Sequence, residues 1–411
     1  MSKFYLTTPL YYVNDKPHLG TAYTTILADV ISRYHKKMNE DVFFLTGTDE
    51  HGQKVQEAAA KRQIRPKIHV DEYVIEFKKL WEKLHIDYND FIRTTEKRHT
   101  DKVKKILQNL FDNGEIYKDK YEGMYSVSEE RFITLKEAEE GEFREVKKLV
   151  EENYFFKMSK YQSKLIKYIK DNPDFIKPEG RKNEVLGFLN KPLNDLCISR
   201  PKSRLKWGIE LPFDNDYVTY VWFDALLNYI TAVGWDQNEE SFRQTWPANY
   251  HLIGKDILTT HAVYWPTILM SIGLPLPKTI FAHGWWLSGE SKMSKSLGNI
   301  INPINLIDKY GADSLRYFLM KEMVLGKDST FTIDLFVERY NSDLANDYGN
   351  LVNRVTILIH KHFNSRIPEP GNYNEIDLEL IGYAKTTPQL VLKDIENLKI
   401  PDGIEKILIL M

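Results

Sequence analysis

The chain has 411 residues, with 56 Lys and Arg against 58 Asp and Glu and a formal net charge of −2. At about 150 residues per domain that length predicts two or three domains, and the charge balance excludes an overall-basic coat that holds nucleic acid by bulk charge, leaving a local basic face open. The one cysteine, Cys197, excludes a disulfide framework and any four-ligand zinc site with two or more thiolates, and makes the cytoplasm the expected compartment.

The amino terminus, MSKFYLTTPLYYV, has no long apolar segment, and nowhere do eighteen apolar residues follow one another, so neither secretion nor a membrane span is expected. Residues 3–13 read as a strand. The turn Asn14-Asp15-Lys16-Pro17 follows, and then Ala22, Ile26, Leu27, Val30, Ile31 and Tyr34 recur at helical spacing. A second buried-type strand, Val42 to Leu45, ends in Thr46-Gly47-Thr48-Asp49 and leads into an alanine-rich helix at Val55 to Ala60. This alternation predicts a parallel sheet with crossover helices.

From about Ile116 the texture changes to Tyr117, Tyr121, Met124, Tyr125 and Val127 in alternation, then to an acidic run, Glu137 to Glu152, with seven glutamates. The run reads as the solvated face of a helix. Mixed patterns continue to about Pro212, and the whole stretch reads as an insertion. Sheet texture resumes at Val218 to Trp222, at His251 to Gly254 and at Thr279 to Ala282, and beyond Asp313 the pattern is mostly helical. An α/β, doubly wound domain interrupted by an insertion is therefore expected.

No GxxxxGK[ST] and no GxGxxG follows the first strand, so neither a P-loop ATPase nor a dinucleotide enzyme is supported. What stands there is Pro17-His18-Leu19-Gly20-Thr21 at a helix start, where free N–H groups, the dipole and an imidazole suit phosphate. Taken alone, a histidine beside a proline turn is more often an ordinary surface or capping residue. Lys292-Met293-Ser294-Lys295-Ser296-Leu297-Gly298-Asn299 offers two lysines and two serines to a polyphosphate, although such loops also serve as solvated connectors.

Together, HLGT at His18 to Thr21 and KMSKS at Lys292 to Ser296 resemble the two signatures of the class I aminoacyl-tRNA synthetases, written HIGH and KMSKS. The segments TTPLYYVNDKPHLG, FFLTGTDEHGQK, FIRTTEKRH, NEVLGFL, YVWFDALLNYI, HLIGKDILTTHAVYWP, FAHGWWLSGESKMSKSLGN and NDYGNLVNR, from Tyr5 to about Arg354, resemble the methionyl-tRNA synthetase family more specifically. The resemblance implies a Rossmann-type parallel sheet split by a connective insertion and followed by a partial helical anticodon-binding bundle. Its boundaries would be 1–115 and 216–305 for the two catalytic halves, 116–215 for the insertion, 306–345 for a stem-contact region and 346–411 for the start of the bundle.

The resemblance also implies site residues. Asn14, His18, Gly20, Thr21, Gly254, Asp256, Lys292, Ser294 and Lys295 would hold ATP, with His18, Lys292 and Lys295 stabilising the transferring phosphate. Methionine would take Leu10, Tyr12, Trp222, Ala225, Leu226, Tyr229, Ile257 and His261 around its thioether, Asp49 on its ammonium and Arg200 near its carboxylate. Asn350 and Arg354, at i and i+4, would read the anticodon of a methionine tRNA. Magnesium would arrive with ATP, and neither a membrane nor DNA is an expected partner.

Three departures matter. Thr21 replaces the second signature histidine, keeping a hydroxyl but losing a chargeable ring. The insertion has Ser126 and Glu129 in YSVSEERF where many relatives carry cysteine zinc knuckles, so no protein-held zinc is expected. The chain stops at Leu408-Ile409-Leu410-Met411 within an apolar helix pattern, so the bundle is expected to be incomplete. Three other readings were weighed: a leucine, isoleucine or valine synthetase, for which 116–215 is too short to hold an editing insertion; a nucleotidyltransferase, which would lack the helical final third; and a non-enzymatic tRNA-binding relative, against which Asp49, Lys292 and Lys295 speak.

Overall fold

The structure, a computed structural model, describes residues 3–126, 131–133, 146–288, 291–292, 301–324 and 326–411. Its contacts separate two units, one of residues 1–16, 35–78 and 87–282, the other of residues 17–34, 79–86 and 283–411.

In the first unit the strands run β1 (Phe4–Thr7), β2 (Tyr11–Tyr12), β3 (Val42–Asp49), β4 (Asp90–Arg93), β5 (Ile116–Ser126), β6 (Arg131–Ile133), β7 (Val146–Phe156), β8 (Ile176–Lys177), β9 (Leu196–Cys197), β10 (Ser199–Pro201), β11 (Glu210–Leu211), β12 (Asp214–Thr219), β13 (Tyr250–Gly254) and β14 (Thr279–His283). The main sheet has the order β2-β3-β1-β13-β14-β8, with β4 added beside β3. Pairing is parallel between β1 and both β3 and β13, between β3 and both β2 and β4, and between β14 and β8. Strands buried on both faces need continuous apolar runs rather than alternation. Phe4 to Leu6 and Val42 to Leu45 supply them, every residue of β1 being buried and all but one of β3.

Gly47 is required where β3 meets β4. A Cβ there would lie 2.0 Å from the Ile92 carbonyl oxygen, so only glycine lets the two backbones approach. Tyr5, Leu45, Ile92, Phe156, Phe223 and Trp265 belong to one continuous buried core.

Three sequence expectations are corrected here. Val218 to Trp222 does not enter the main sheet: β12 ends at Thr219 and pairs antiparallel with β10 and β11, and Val221 already opens the helix Val221–Leu226. The described end of the acidic run is not helical, because Val146–Phe156 forms strand β7 along the whole length of β5. Lys118 on β5 meets Glu152 on β7 at 3.3 Å, an opposite-charge cross-strand contact that suits the ladder. Finally, the stretch from 116 to 215 is not wholly inserted, since β8 within it extends the main sheet beside β14.

In the second unit the short strands β15 (Trp286–Ser288), β16 (Ser291–Lys292) and β17 (Ser329–Phe331) form a small sheet of order β16-β15-β17. Trp286 packs its ring 6.0 Å from that of Tyr23 and 5.7 Å from that of Phe318, which in turn meets Phe331 and Phe336. The fully buried carboxylate of Asp29 is ion-paired by Arg33 at 2.7 Å and Arg316 at 2.5 Å. Such a group is tolerated inside only because it is paired.

Helices Asn350–Phe363, Glu375–Glu396 and Ile400–Leu410 close the chain, the second opened by a capping box between Asn374 and Asp377. Among the described residues no helix is long and apolar enough to cross a membrane.

Candidate functional site

Within the first unit a small cavity is lined by Pro9, Leu10, Asp49, Trp222, Ala225, Leu226, Asn228, Tyr229 and His261. Its floor comes from the loop after β1 and from the last residue of β3. Its walls come from two consecutive short helices, Val221–Leu226 and Asn228–Thr231, and from a π-helical turn, Thr260–Tyr264. A widened turn of that kind often marks a functional position, because it pushes a side chain out of helical register.

The polar end of the wall has a definite proton arrangement. His261 Nδ1 lies 2.9 Å from the Ile257 carbonyl, and its Nε2 lies 2.8 Å from the Tyr229 hydroxyl. A carbonyl only accepts, so Nδ1 carries the proton, Nε2 accepts, and Tyr229 donates. Burial lowers His261 to about 4, against the raising effect of the Ile257 hydrogen bond, so the ring is neutral. Behind it, the Trp265 indole N–H donates to His251 Nε2 at 3.2 Å and His251 Nδ1 meets the Thr7 hydroxyl at 2.8 Å. Burial holds His251 well below its ordinary range, with His261 acting in the same direction. The Tyr229 ring lies 4.1 Å from that of His251, tilted by 30°, and Tyr5 donates to the Tyr229 carbonyl at 2.8 Å. The cavity is thus walled by aromatic faces and neutral imidazole, with one carboxylate, Asp49.

These two histidines fix a pH dependence. Both are neutral in the fold and protonate once exposed, so below about pH 6.5 the unfolded chain binds more protons and stability falls as pH drops toward about 4. For His261 alone the loss is about 3 kcal/mol across that window. Urea unfolding between pH 4 and pH 7 is expected to show a shallower decline for His261→Gln than for the parent chain.

The backbone that follows Asp49 is anchored. The next residue, Glu50, is fully buried and its carboxylate accepts from Thr48 at 2.7 Å and Thr95 at 2.5 Å, and from Arg93 at 2.6 and 3.0 Å. Gly52 then turns the chain at φ +108°, a conformation that favours glycine, and donates its N–H to the Trp207 carbonyl.

Of the residues expected around a thioether and an ammonium, Leu10, Asp49, Trp222, Ala225, Leu226, Tyr229 and His261 share this cavity. Three do not line it. Tyr12 packs near Gly52, and Ile257 contributes its carbonyl to His261. Arg200 lies on β10, its guanidinium 4.4 Å over the Tyr220 ring and donating to the Ser199 carbonyl at 2.7 Å. Arg200 is thus packed beside the cavity's wall segments without being one of its lining residues. Sequence reasoning missed Pro9 and Asn228. Asn228 follows Ala225 by three residues and donates to its carbonyl at 2.6 Å, a spacing that could have flagged it.

The residues expected at phosphate and ribose fall in both units. Asn14 follows β2, Gly254 ends β13, and Asp256 is exposed in the turn Lys255–Ile257 of the first unit. In the second unit helix Leu19–Lys37 starts directly after His18, whose Nδ1 accepts from the Gly20 N–H at 3.1 Å. The ring proton is then on Nε2 in the neutral form. Thr21 is buried in the first turn of that helix. Lys292 pairs by its backbone with Leu287, while Ser294 and Lys295 lie outside the described residues. Asn350 and Arg354 are both exposed at the start of helix Asn350–Phe363. Ser126 is buried at the end of β5, and Glu129 lies outside the described residues. Among the described residues no three His, Cys, Asp or Glu side chains come together as metal ligands.

A family model described as tRNA synthetases class I (M) matches residues 4–140 and 140–356. The chain belongs to that family. Among curated members, the methionine--tRNA ligase of Clostridium acetobutylicum is 49% identical over 98% of this chain and 64% of its own length, and that of Bacillus subtilis is 46% identical over 96% and 62%. The chain thus spans somewhat less than two thirds of the length of these synthetases. Among solved synthetases, Mycobacterium tuberculosis methionyl-tRNA synthetase in complex with methionyl-adenylate matches with a TM-score of 0.95 at 40% identity, over 100% of this chain and 82% of that one. The apo form of that enzyme matches with a TM-score of 0.84, over 100% and 80%.

Proposed function

We propose that the chain activates methionine with ATP and passes the activated residue to the 3′ end of a methionine tRNA. The observation that carries this reading is the cavity itself. An unbranched thioether suits polarizable aromatic walls and a neutral hydrogen-bonded imidazole, and the α-ammonium suits the single carboxylate, Asp49. Family membership supplies the reaction class.

In the first step a methionine carboxylate oxygen attacks the α-phosphorus of ATP in line, a P–O bond forms, and pyrophosphate leaves. In the second a terminal ribose hydroxyl of tRNA attacks the adenylate carbonyl and AMP leaves. Side chains serve this chemistry mainly by positioning and by charge stabilisation. Asn14, His18, Gly20 and Thr21 would meet the phosphates, Gly254 and Asp256 the ribose, and Lys292, Ser294 and Lys295 the charge that moves toward pyrophosphate. Magnesium would come bound to ATP rather than in a protein cage. Asn350 and Arg354 would face tRNA bases.

The test is ATP–pyrophosphate exchange driven by methionine, with leucine, isoleucine and valine as competitors. The insertion of this chain is proposed to hold no zinc. Elemental analysis of the purified chain is expected to find far less than one zinc per chain, and a stoichiometric value contradicts that part of the reading.

A further inference from the structure

Three segments quoted for their likeness to synthetases contain residues that the proposed reaction does not use: His51 in FFLTGTDEHGQK, His99 in FIRTTEKRH and Asp224 in YVWFDALLNYI. The fold brings them together. Asp224 is 1% exposed, and its two carboxylate oxygens meet His51 Nδ1 and His99 Nε2, each at 2.7 Å. His99 is completely buried, and its other nitrogen lies 2.8 Å from the Thr231 hydroxyl. Burial pushes the Asp224 carboxyl up, but the attraction of His51 and the two imidazole hydrogen bonds outweigh it and hold the group below the usual carboxylate range. Asp224 is therefore an ionised acceptor with two directional donors.

What this carboxylate ties together is specific. His51 is two residues from Asp49. Asp224 sits between Trp222 and Ala225 on one wall helix, and Thr231 ends the next, which bears Asn228 and Tyr229. The segments joined through Asp224 thus carry every lining residue of the cavity except Pro9, Leu10 and His261. None of the three bridging residues lines the cavity itself. Ordinary packing of apolar helices tolerates sliding by fractions of an ångström, whereas two charge-assisted hydrogen bonds fix distance and direction together.

We propose that Asp224, gripped by His51 and His99, is a positioning residue that sets the spacing between the carboxylate that takes the substrate ammonium and the aromatic wall that takes its side chain. This rests on the methionine reading above. A ligand that spans both ends, as an amino acid does, senses that spacing, whereas ATP does not depend on it.

The experiment is calorimetric titration of methionine and, separately, of ATP into the parent chain and into Asp224→Asn, His51→Leu and His51→Asn, with thermal unfolding of each. Asparagine keeps an N–H near the position of His51 Nδ1, and leucine does not. Asp224→Asn and His51→Leu are expected to weaken methionine binding about tenfold or more, with ATP affinity changed by less than about twofold. His51→Asn is expected to stay within about threefold of the parent. If Asp224→Asn does not fold, the comparison of His51→Leu with His51→Asn reads the same spacing. Parental methionine affinity in His51→Leu, or an equal loss for methionine and ATP, overturns the positioning role while leaving the methionine reading intact. A parent chain that binds no methionine overturns both.

Discussion

Asp49→Asn is expected to weaken methionine binding by roughly thirtyfold or more while leaving the fold unchanged. Removing one partner of a desolvated, hydrogen-bonded charge pair costs about 2 to 5 kcal/mol, because the remaining charge is left in a site that water does not replace. Asp49 is 6% exposed at the end of β3, and it is the only carboxylate among the residues lining the cavity. Its neighbour Glu50 is anchored independently by Arg93, Thr48 and Thr95, so the substitution should not release the turn. Equilibrium titration with methionine reads the effect directly. Affinity within a few-fold of the parent would place the substrate ammonium elsewhere.

Lys295→Ala is expected to slow adenylate formation by about a hundredfold to a thousandfold, the size seen when one preorganised charge-stabilising donor is lost. Its effect on methionine affinity should be small, since in the proposed reaction the lysine ammonium would act mostly as negative charge moves toward the leaving pyrophosphate, an interaction stronger in the transition state than before it. Single-turnover adenylate formation alongside methionine titration separates the two. Parental rates in the variant would make Lys295 a bystander in the reaction.

The strands that position the cavity were legible because their chemistry is local. Phe4 to Leu6, Val42 to Leu45 and the runs after His251 and Thr279 are short apolar segments followed by polar or turn residues, as suits strands buried on both faces. Val218 to Trp222 has the same apolar texture, so texture alone could not show that the chain turns from strand to helix at Tyr220. There, the N–H groups of Phe223 and Asp224 already fold back to the Tyr220 carbonyl. The glutamate run misled for a different reason. Charge density suggests a solvated helix, but in Val146–Phe156 the ladder with β5 decides the conformation, a long-range pairing that overrides local preference. The two-residue strand β8 carries too little sequence to announce itself.

The site divides in the same way. Residues that touch the cavity were reachable through motif resemblance, as with Trp222, Ala225, Leu226, Tyr229 and His261. The contacts of Arg200 were not legible, because its side chain is directed by the Tyr220 ring beneath it and by the Ser199 carbonyl. Least legible was the Asp224 bridge. Its members are separated by 125 and 173 residues, and each reads in isolation as an ordinary polar residue in a helix or turn.

Selection of an unbranched thioether amino acid by this cavity for activation by ATP, as proposed, is tested most directly by amino-acid-dependent ATP–pyrophosphate exchange. Hydrophobic pockets separate substrates that differ by one methylene by only about 1 to 3 kcal/mol, so some exchange with norleucine is expected. Branched side chains, which fit an unbranched-thioether cavity less well, should exchange poorly. Strong exchange is expected with methionine and little with leucine, isoleucine or valine; faster exchange with leucine than with methionine would contradict a thioether-selective cavity.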